Sequence, residues 1–97
     1  MATYIVLGNF TDQGLRSVRE TTKRAEAFRE MARVLGVVIK GIYWTMGRYD
    51  VVVVLEAPDD ATATTLNISL GALGNVRTQT LPAFSADEMA HVIAKMV

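Results

Sequence analysis

Apolar residues in the first half of the chain follow two different spacings. Residues 4–7 are a short apolar, β-branched run that ends at Gly8, which predicts a first strand. From Gly14 to Leu35 apolar or small residues recur every three or four positions, which predicts one long amphipathic helix. Its inward positions are Leu15, Val18, Thr22, Ala25, Phe28, Ala32 and Leu35.

The next two apolar runs are rich in β-branched and aromatic residues, the composition typical of strands. They cover residues 37–46 and 49–56, and the short Gly47-Arg48 connection between them predicts an antiparallel hairpin. Pro58 ends the second run.

The second half predicts a helix, a strand and a final helix. The helix begins at Asp59 or Asp60, acidic residues suited to a helix start, and ends at Gly74. A fourth strand over residues 75–81 ends at Pro82. Residues 85–88 form a capping box, which predicts a last helix. Its predicted inward residues are Met89, Ile93 and Met96.

The predicted order of elements is strand, helix, strand, strand, helix, strand, followed by a C-terminal helix. This is the α+β, ferredoxin-like order, in which both crossover helices cover one face of a four-stranded sheet. Residues 4–7 and 51–55 are apolar at every position, so both faces of the sheet should be covered. One short C-terminal helix is too small to cover the second face. We therefore expect two copies to pack sheet to sheet as a dimeric α/β barrel.

Composition supports one small domain over residues 1–97. The chain is 51% hydrophobic and 21% charged, which excludes a disordered protein. It contains no cysteine and one histidine, which excludes disulfides and a conventional zinc site and leaves self-association as the means of added stability. A formal net charge of zero argues against nucleic-acid binding. We expect a cytoplasmic protein with no membrane segment, because neither a signal peptide nor an apolar run of membrane-spanning length is apparent.

Charge is unevenly distributed along the chain. Residues 1–48 carry eight basic and four acidic groups, a net +4, whereas residues 49–97 carry two basic and six acidic groups, a net −4. The simplest interpretation is a solvated face on the first helix. The alternatives are complementary contacts between subunits and capture of an anionic ligand.

The hairpin carries a recognisable motif, Tyr-Trp-Thr-Met-Gly-Arg-Tyr-Asp at residues 43–50, followed by Glu-Ala-Pro-Asp-Asp at 56–60. Together they resemble the GYD-domain family, whose signature is Gly-x-Tyr-Asp. The segments 10–14, 74–78 and 80–84 resemble further blocks of that family, so that the similarity covers about residues 4 to 88. The resemblance implies a ferredoxin-like, dimeric α/β-barrel fold, and it supplies no catalytic residues.

Five residues are candidates for a ligand site, with a mainly apolar pocket as the expected environment. They are Tyr4, Tyr43, Trp44, Tyr49 and Asp50. Packing in the core and the dimer is the favoured role for Tyr43, Trp44 and Tyr49, and a turn-forming role is the favoured one for Asp50.

A catalytic Asp50, acting as a general base, is a weaker hypothesis. His91 is expected on the solvated face of the last helix. The sequence contains no Walker loop, dinucleotide fingerprint or nucleophile elbow, so no cofactor is predicted.

Three functions remain open at this point. The first is a homo-oligomeric protein that binds a small apolar or aromatic molecule or acts as an accessory protein. The second is a cofactor-independent monooxygenase or isomerase, and the third is a pure protein-interaction module.

Overall fold

The computed structural model describes residues 1–97 and contains one four-stranded antiparallel sheet. The strands are β1 (Ala2–Phe10), β2 (Val38–Trp44), β3 (Val51–Ala57) and β4 (Val76–Ala83). The α-helices are α1 (Asp12–Arg16), α2 (Thr21–Val34), α3 (Asp60–Ala72) and α4 (Ala86–Ala94), and a 3₁₀ turn covers Val18–Glu20. None of these helices is long and apolar enough to cross a membrane.

The strand order β2-β3-β1-β4 confirms the ferredoxin-like α+β prediction. All three strand pairs are antiparallel, and β2 and β4 form the two edges of an open sheet. A single chain therefore does not close a barrel by itself.

The hydrophobic core lies between α2, α3 and one face of the sheet. Leu55 and Leu66 are fully buried at its centre, beside Phe28 of α2. Asn67 is the buried polar residue, and its Nδ2 donates a hydrogen bond to Thr80 Oγ1 at 2.7 Å. This bond joins α3 to the edge strand β4.

The predicted first helix is interrupted, which corrects the single helix expected over residues 14–35. Ser17 ends α1, and its hydroxyl donates to the Gln13 carbonyl oxygen, a local bond that competes with continued helix. The apolar spacing describes α2 well, because Phe28 and Ala32 are buried. It fails before the break, where Leu15 is 55% exposed.

Two predicted boundaries also differ from the structure. The β2–β3 connection spans residues 45–50, longer than the predicted Gly47-Arg48 turn. Strand β4 continues through Pro82, which pairs with Tyr4, instead of ending there. An edge strand tolerates proline because one side of its backbone has no strand to bond.

The other side of the sheet is uncovered, and we call it the open face. Its larger apolar side chains are Ile5, Leu7, Val38, Tyr43, Val52, Val54 and Leu81, which lie on the side of their strands opposite the core. Tyr43 is 58% exposed there. Its ring lies across Gly41, where an added Cβ would approach the Tyr43 hydroxyl to 2.6 Å.

Helix α4 also lacks a partner within the chain. The predicted capping box is present, since the Ser85 hydroxyl accepts from the Glu88 amide and the Glu88 carboxylate accepts from the Ser85 amide. These bonds, the backbone one foremost, lower the pKa of Glu88. The inward placement of Met89, Ile93 and Met96 is wrong for the single chain, because α4 buries no residue. Its apolar side is free to pack against another surface.

Candidate functional site

A cavity of about 90 Å³ lies between the sheet and the two crossover helices. Thirteen of its eighteen lining residues are hydrophobic. The sheet contributes Val6, Gly8, Phe10, Ile42, Trp44, Val51, Val53, Val76 and Thr78, and the helices contribute residues that include Ala25, Phe28, Met31 and Leu70. Ala25 of α2 accounts for part of the space, because a larger side chain at this position would fill it. Gly8 of β1 adds no room, since a Cβ there would lie 2.9 Å from the Val76 side chain.

The cavity opens beside two half-exposed apolar side chains. Trp44 is 44% exposed and Leu73 is 55% exposed, and both line the cavity. The Trp44 indole Nε1 donates to Thr21 Oγ1 at 3.0 Å, which connects the end of β2 to the start of α2. Residues at the ends of strands and helices therefore form the mouth of the cavity, and residues from the centres of strands and helices form its apolar interior.

Arg24 is the charged residue among those that line the cavity. Its Nη1 donates to both the carbonyl oxygen and the hydroxyl of Ser17 at 3.0 Å, and its Nη2 lies 3.4 Å from the Gly14 carbonyl oxygen. No carboxylate oxygen lies within 4.0 Å of the guanidinium. The half-buried Arg24 guanidinium therefore lies beside an apolar cavity, and all its hydrogen-bond acceptors are neutral.

Asp50 of the hairpin motif holds the loop that borders the cavity. Its Oδ2 accepts from the Phe10 amide at 3.0 Å, and its own amide donates to the Gly8 carbonyl oxygen at 2.9 Å. Its carbonyl oxygen accepts from the Thr45 amide at 2.8 Å. Since Gly8 and Phe10 line the cavity, Asp50 fixes the strand end that forms one wall.

Gly47 completes the same loop with a positive φ of 101°, a conformation that glycine adopts without strain. Tyr49 is half-buried in this loop, and its carbonyl oxygen accepts from the Thr45 hydroxyl at 2.6 Å. The motif therefore contributes backbone geometry at the end of the sheet.

A second junction joins the segment after β1 to the segment before β4. The Thr11 amide donates to the Asn75 carbonyl oxygen at 3.1 Å, and the Thr11 hydroxyl donates to the Gly74 carbonyl oxygen at 2.6 Å. Gly14 packs so closely that an added Cβ would lie 2.1 Å from the Asn75 carbonyl oxygen. The family-like blocks at residues 10–14 and 74–78 are thus in direct contact.

The GYD-domain family model matches residues 4–93 of the chain, a span that contains the hairpin motif and both segments of this junction. The chain belongs to the GYD-domain family. A curated relative from Thermus thermophilus is named "Glutamine synthetase and cystathionine beta-lyase binding protein". It is 36% identical over 97 residues, and the alignment covers 99% of each chain.

The predicted site residues of this GYD domain do not form one cluster. Trp44 lines the cavity, Asp50 and Tyr49 lie in the adjoining loop, and Tyr43 lies on the open face. Tyr4 is buried on the helix-covered face, where its hydroxyl donates to the Asp60 carboxylate at the start of α3. That hydrogen bond, together with burial, raises the pKa of Tyr4 to about 12.

His91 is exposed on α4 of the GYD domain, with Nδ1 2.8 Å from the Asp87 carbonyl oxygen. No group of three histidine, aspartate or glutamate side chains is placed to hold a metal ion.

Sequence reasoning missed the most distinctive cavity residues of the GYD domain. Arg24 was assigned to a solvated helix face along with the other basic residues of the first helix. Gly8 was interpreted as the end of a strand, although β1 continues to Phe10. One feature of the sequence does indicate the cavity. Arg24 is a basic residue beside the apolar positions of the helix, and its neighbour Ala25 has a small side chain.

Proposed function

We propose that this GYD domain is a cytoplasmic accessory protein that binds a metabolic enzyme and acts as a homodimer. The observation that carries the proposal is the end-to-end similarity to a protein named for binding glutamine synthetase and cystathionine β-lyase. The alignment covers nearly all of both chains, so the relative has no additional domain in which a separate binding function would reside. Glutamine synthetase and cystathionine β-lyase are accordingly the first partners to test.

The homodimer is supported by two uncovered apolar surfaces in the same chain. The open face presents seven larger apolar side chains, and α4 leaves Met89 and Ile93 about half exposed. Contiguous exposed apolar patches on soluble proteins typically mark interaction sites. A second copy of the chain would cover both surfaces. Two sheets commonly pack face to face about 10 Å apart, which suits the open face.

We include α4 in this interface, because its apolar side has no partner within the chain. Met89 and Ile93 of α4 then pack against the partner chain and extend the contact beyond the two sheets.

Enzyme binding is tested with purified proteins. The chain is immobilised, and glutamine synthetase and cystathionine β-lyase from its own host are passed over it in separate titrations, with serum albumin as the control. We expect saturable binding of at least one enzyme at micromolar concentration and none of albumin. The absence of binding by both enzymes up to about 100 μM would contradict the accessory role.

Homodimer formation is tested separately by sedimentation equilibrium of the chain alone. We expect the mass of two chains at micromolar concentration. A mass of one chain at every concentration would overturn the dimer and leave the enzyme-binding proposal intact.

A further inference from the structure

The cavity differs from an ordinary packing defect in one respect, which is the charged side chain in its wall. Arg24 is the one arginine of the chain that is not exposed, and it is also the one that lines the cavity. It stands in the first turn of α2, where the helix dipole disfavours a cation, and that turn contains no acidic residue to offset it. The wall of the cavity therefore carries an uncompensated positive charge.

We propose that this cavity binds a small aliphatic carboxylic acid, with its hydrocarbon part inside and its carboxylate on Arg24. A guanidinium pairs with a carboxylate through short, charge-assisted hydrogen bonds, which are about twice as strong as neutral ones. Arg24 now has hydroxyl and carbonyl partners, one of them at a long 3.4 Å, so a carboxylate gives it a stronger acceptor. The proposal does not depend on enzyme binding or on the homodimer.

The size of the cavity sets the size of the hydrocarbon part. The cavity volume is about 90 Å³. It is smaller than the roughly 150 Å³ cavity that holds a benzene ring in an engineered protein. A chain of about four carbon atoms, straight or branched, fits better than an aromatic ring.

Trp44 provides a built-in reporter for the occupied state. It is the only tryptophan of the chain, it lines the cavity, and its indole N–H gives a single resonance in a ¹H–¹⁵N spectrum. A ligand in the cavity must shift this resonance, because the N–H donates to Thr21 at the mouth. The same spectrum reports whether each variant is folded.

The probes are 3-methylbutanoate, whose hydrocarbon part has four carbon atoms, and its neutral counterpart 3-methylbutanamide, each titrated into the wild-type chain. We expect the acid to bind at least about tenfold more tightly than the amide, since hydrogen bonds to charged groups contribute more than neutral ones. Arg24→Gln should abolish this preference and retain amide binding. Arg29→Gln, an exposed arginine on the same helix that does not line the cavity, should change nothing.

A second variant tests the location. Ala25→Leu fills the cavity and should weaken both probes at least about tenfold, whereas Ala61→Leu, at an exposed position of α3, should not. Equal affinities for acid and amide, or a preference for the acid that persists in Arg24→Gln, would overturn the proposal.

The assignment of Arg24 has a further readout if Arg24→Gln does not fold. In the wild-type chain the Arg24 Nε–H resonance should then shift with the acid and not with the amide. Equal shifts with both probes would count against Arg24 as the anion contact.

Discussion

Tyr4 and Asp50 of this GYD domain both form hydrogen bonds that hold parts of the fold together. Tyr4 is buried, and its hydroxyl donates to the Asp60 carboxylate at the start of α3. Its role as a ligand contact stays a prediction. Asp50 shows a similar outcome, because its carboxylate accepts the Phe10 amide at the end of β1. Asp50 thereby positions the end of β1 beside the cavity, whereas Tyr4 joins β1 to the start of α3.

The Tyr4 hydrogen bond predicts a specific alkaline dependence of stability. The pKa of Tyr4 is about 12 in the folded chain against 10.0 for an ordinary tyrosine, so the folded state holds the phenolic proton more tightly. The stabilisation is therefore complete below pH 10 and is lost as the pH rises from about 10 to about 12. Denaturant unfolding of wild type and Tyr4→Phe across this range should show a steeper loss of unfolding free energy in wild type.

Tyr43→Phe is the matched control for this measurement, because Tyr43 lies exposed on the open face. It should follow the wild-type pH dependence. A Tyr4→Phe profile parallel to that of wild type would show that the Asp60 bond does not persist in solution.

At the scale of elements, the junction between the segments after β1 and before β4 determines how the first helical region folds. Gly14 approaches the Asn75 carbonyl oxygen so closely that no side chain fits between α1 and this segment. Gly14 makes this contact from α1, while Phe28 is buried from α2. The break at Ser17 allows both.

Gly14→Ala is expected to destabilise the chain by about 2 kcal/mol, because its Cβ would meet rigid backbone and overpacking typically costs 1–3 kcal/mol. Gly71→Ala is the matched control. Gly71 lies inside α3 with nothing within 4 Å of an added Cβ, so alanine there should stabilise by about 0.5–1 kcal/mol. Chemical denaturation of both variants measures the difference, and equal effects would contradict the close contact at Gly14.

The sequence predicts which helices and strands form better than it predicts the residues at which they begin and end. Spacing along the chain predicts β3 and α3 well, since their burial repeats within a few residues. Ser17 ends α1 through a local bond to Gln13, whereas Gln13 and Gly14 contact Asn75, which lies far away in sequence. Pro82 remains inside β4 because that strand is at the sheet edge, a property of the assembled sheet.

The cavity could not be predicted from local patterns in the sequence. The cavity is lined by residues of elements that lie far apart in sequence, such as Phe10, Ala25 and Leu70. Local periodicity gives the inward face of each element and does not show which residues meet across the core. The predicted ligand contacts Tyr4 and Tyr43 were aromatic residues that lie outside the cavity. Tyr4 bonds to Asp60, and Tyr43 lies on the open face.

At the scale of the whole molecule, the open face and α4 leave apolar surface on two separate parts of one chain. Neither part contributes to the core that holds the fold together. Changes there should consequently alter association without unfolding the chain. This separation makes the homodimer testable by substitution.

Val54→Lys, at the centre of the open face, and Ile93→Glu, on α4, are each expected to weaken dimerisation at least about tenfold, because a charge would be buried without a partner. Sedimentation equilibrium measures the dissociation constant, and circular dichroism checks the fold. Ile68→Glu is the control, since Ile68 is an exposed isoleucine on α3 outside both surfaces. If Val54→Lys weakens the dimer and Ile93→Glu does not, α4 lies outside the interface and the sheets pack without it.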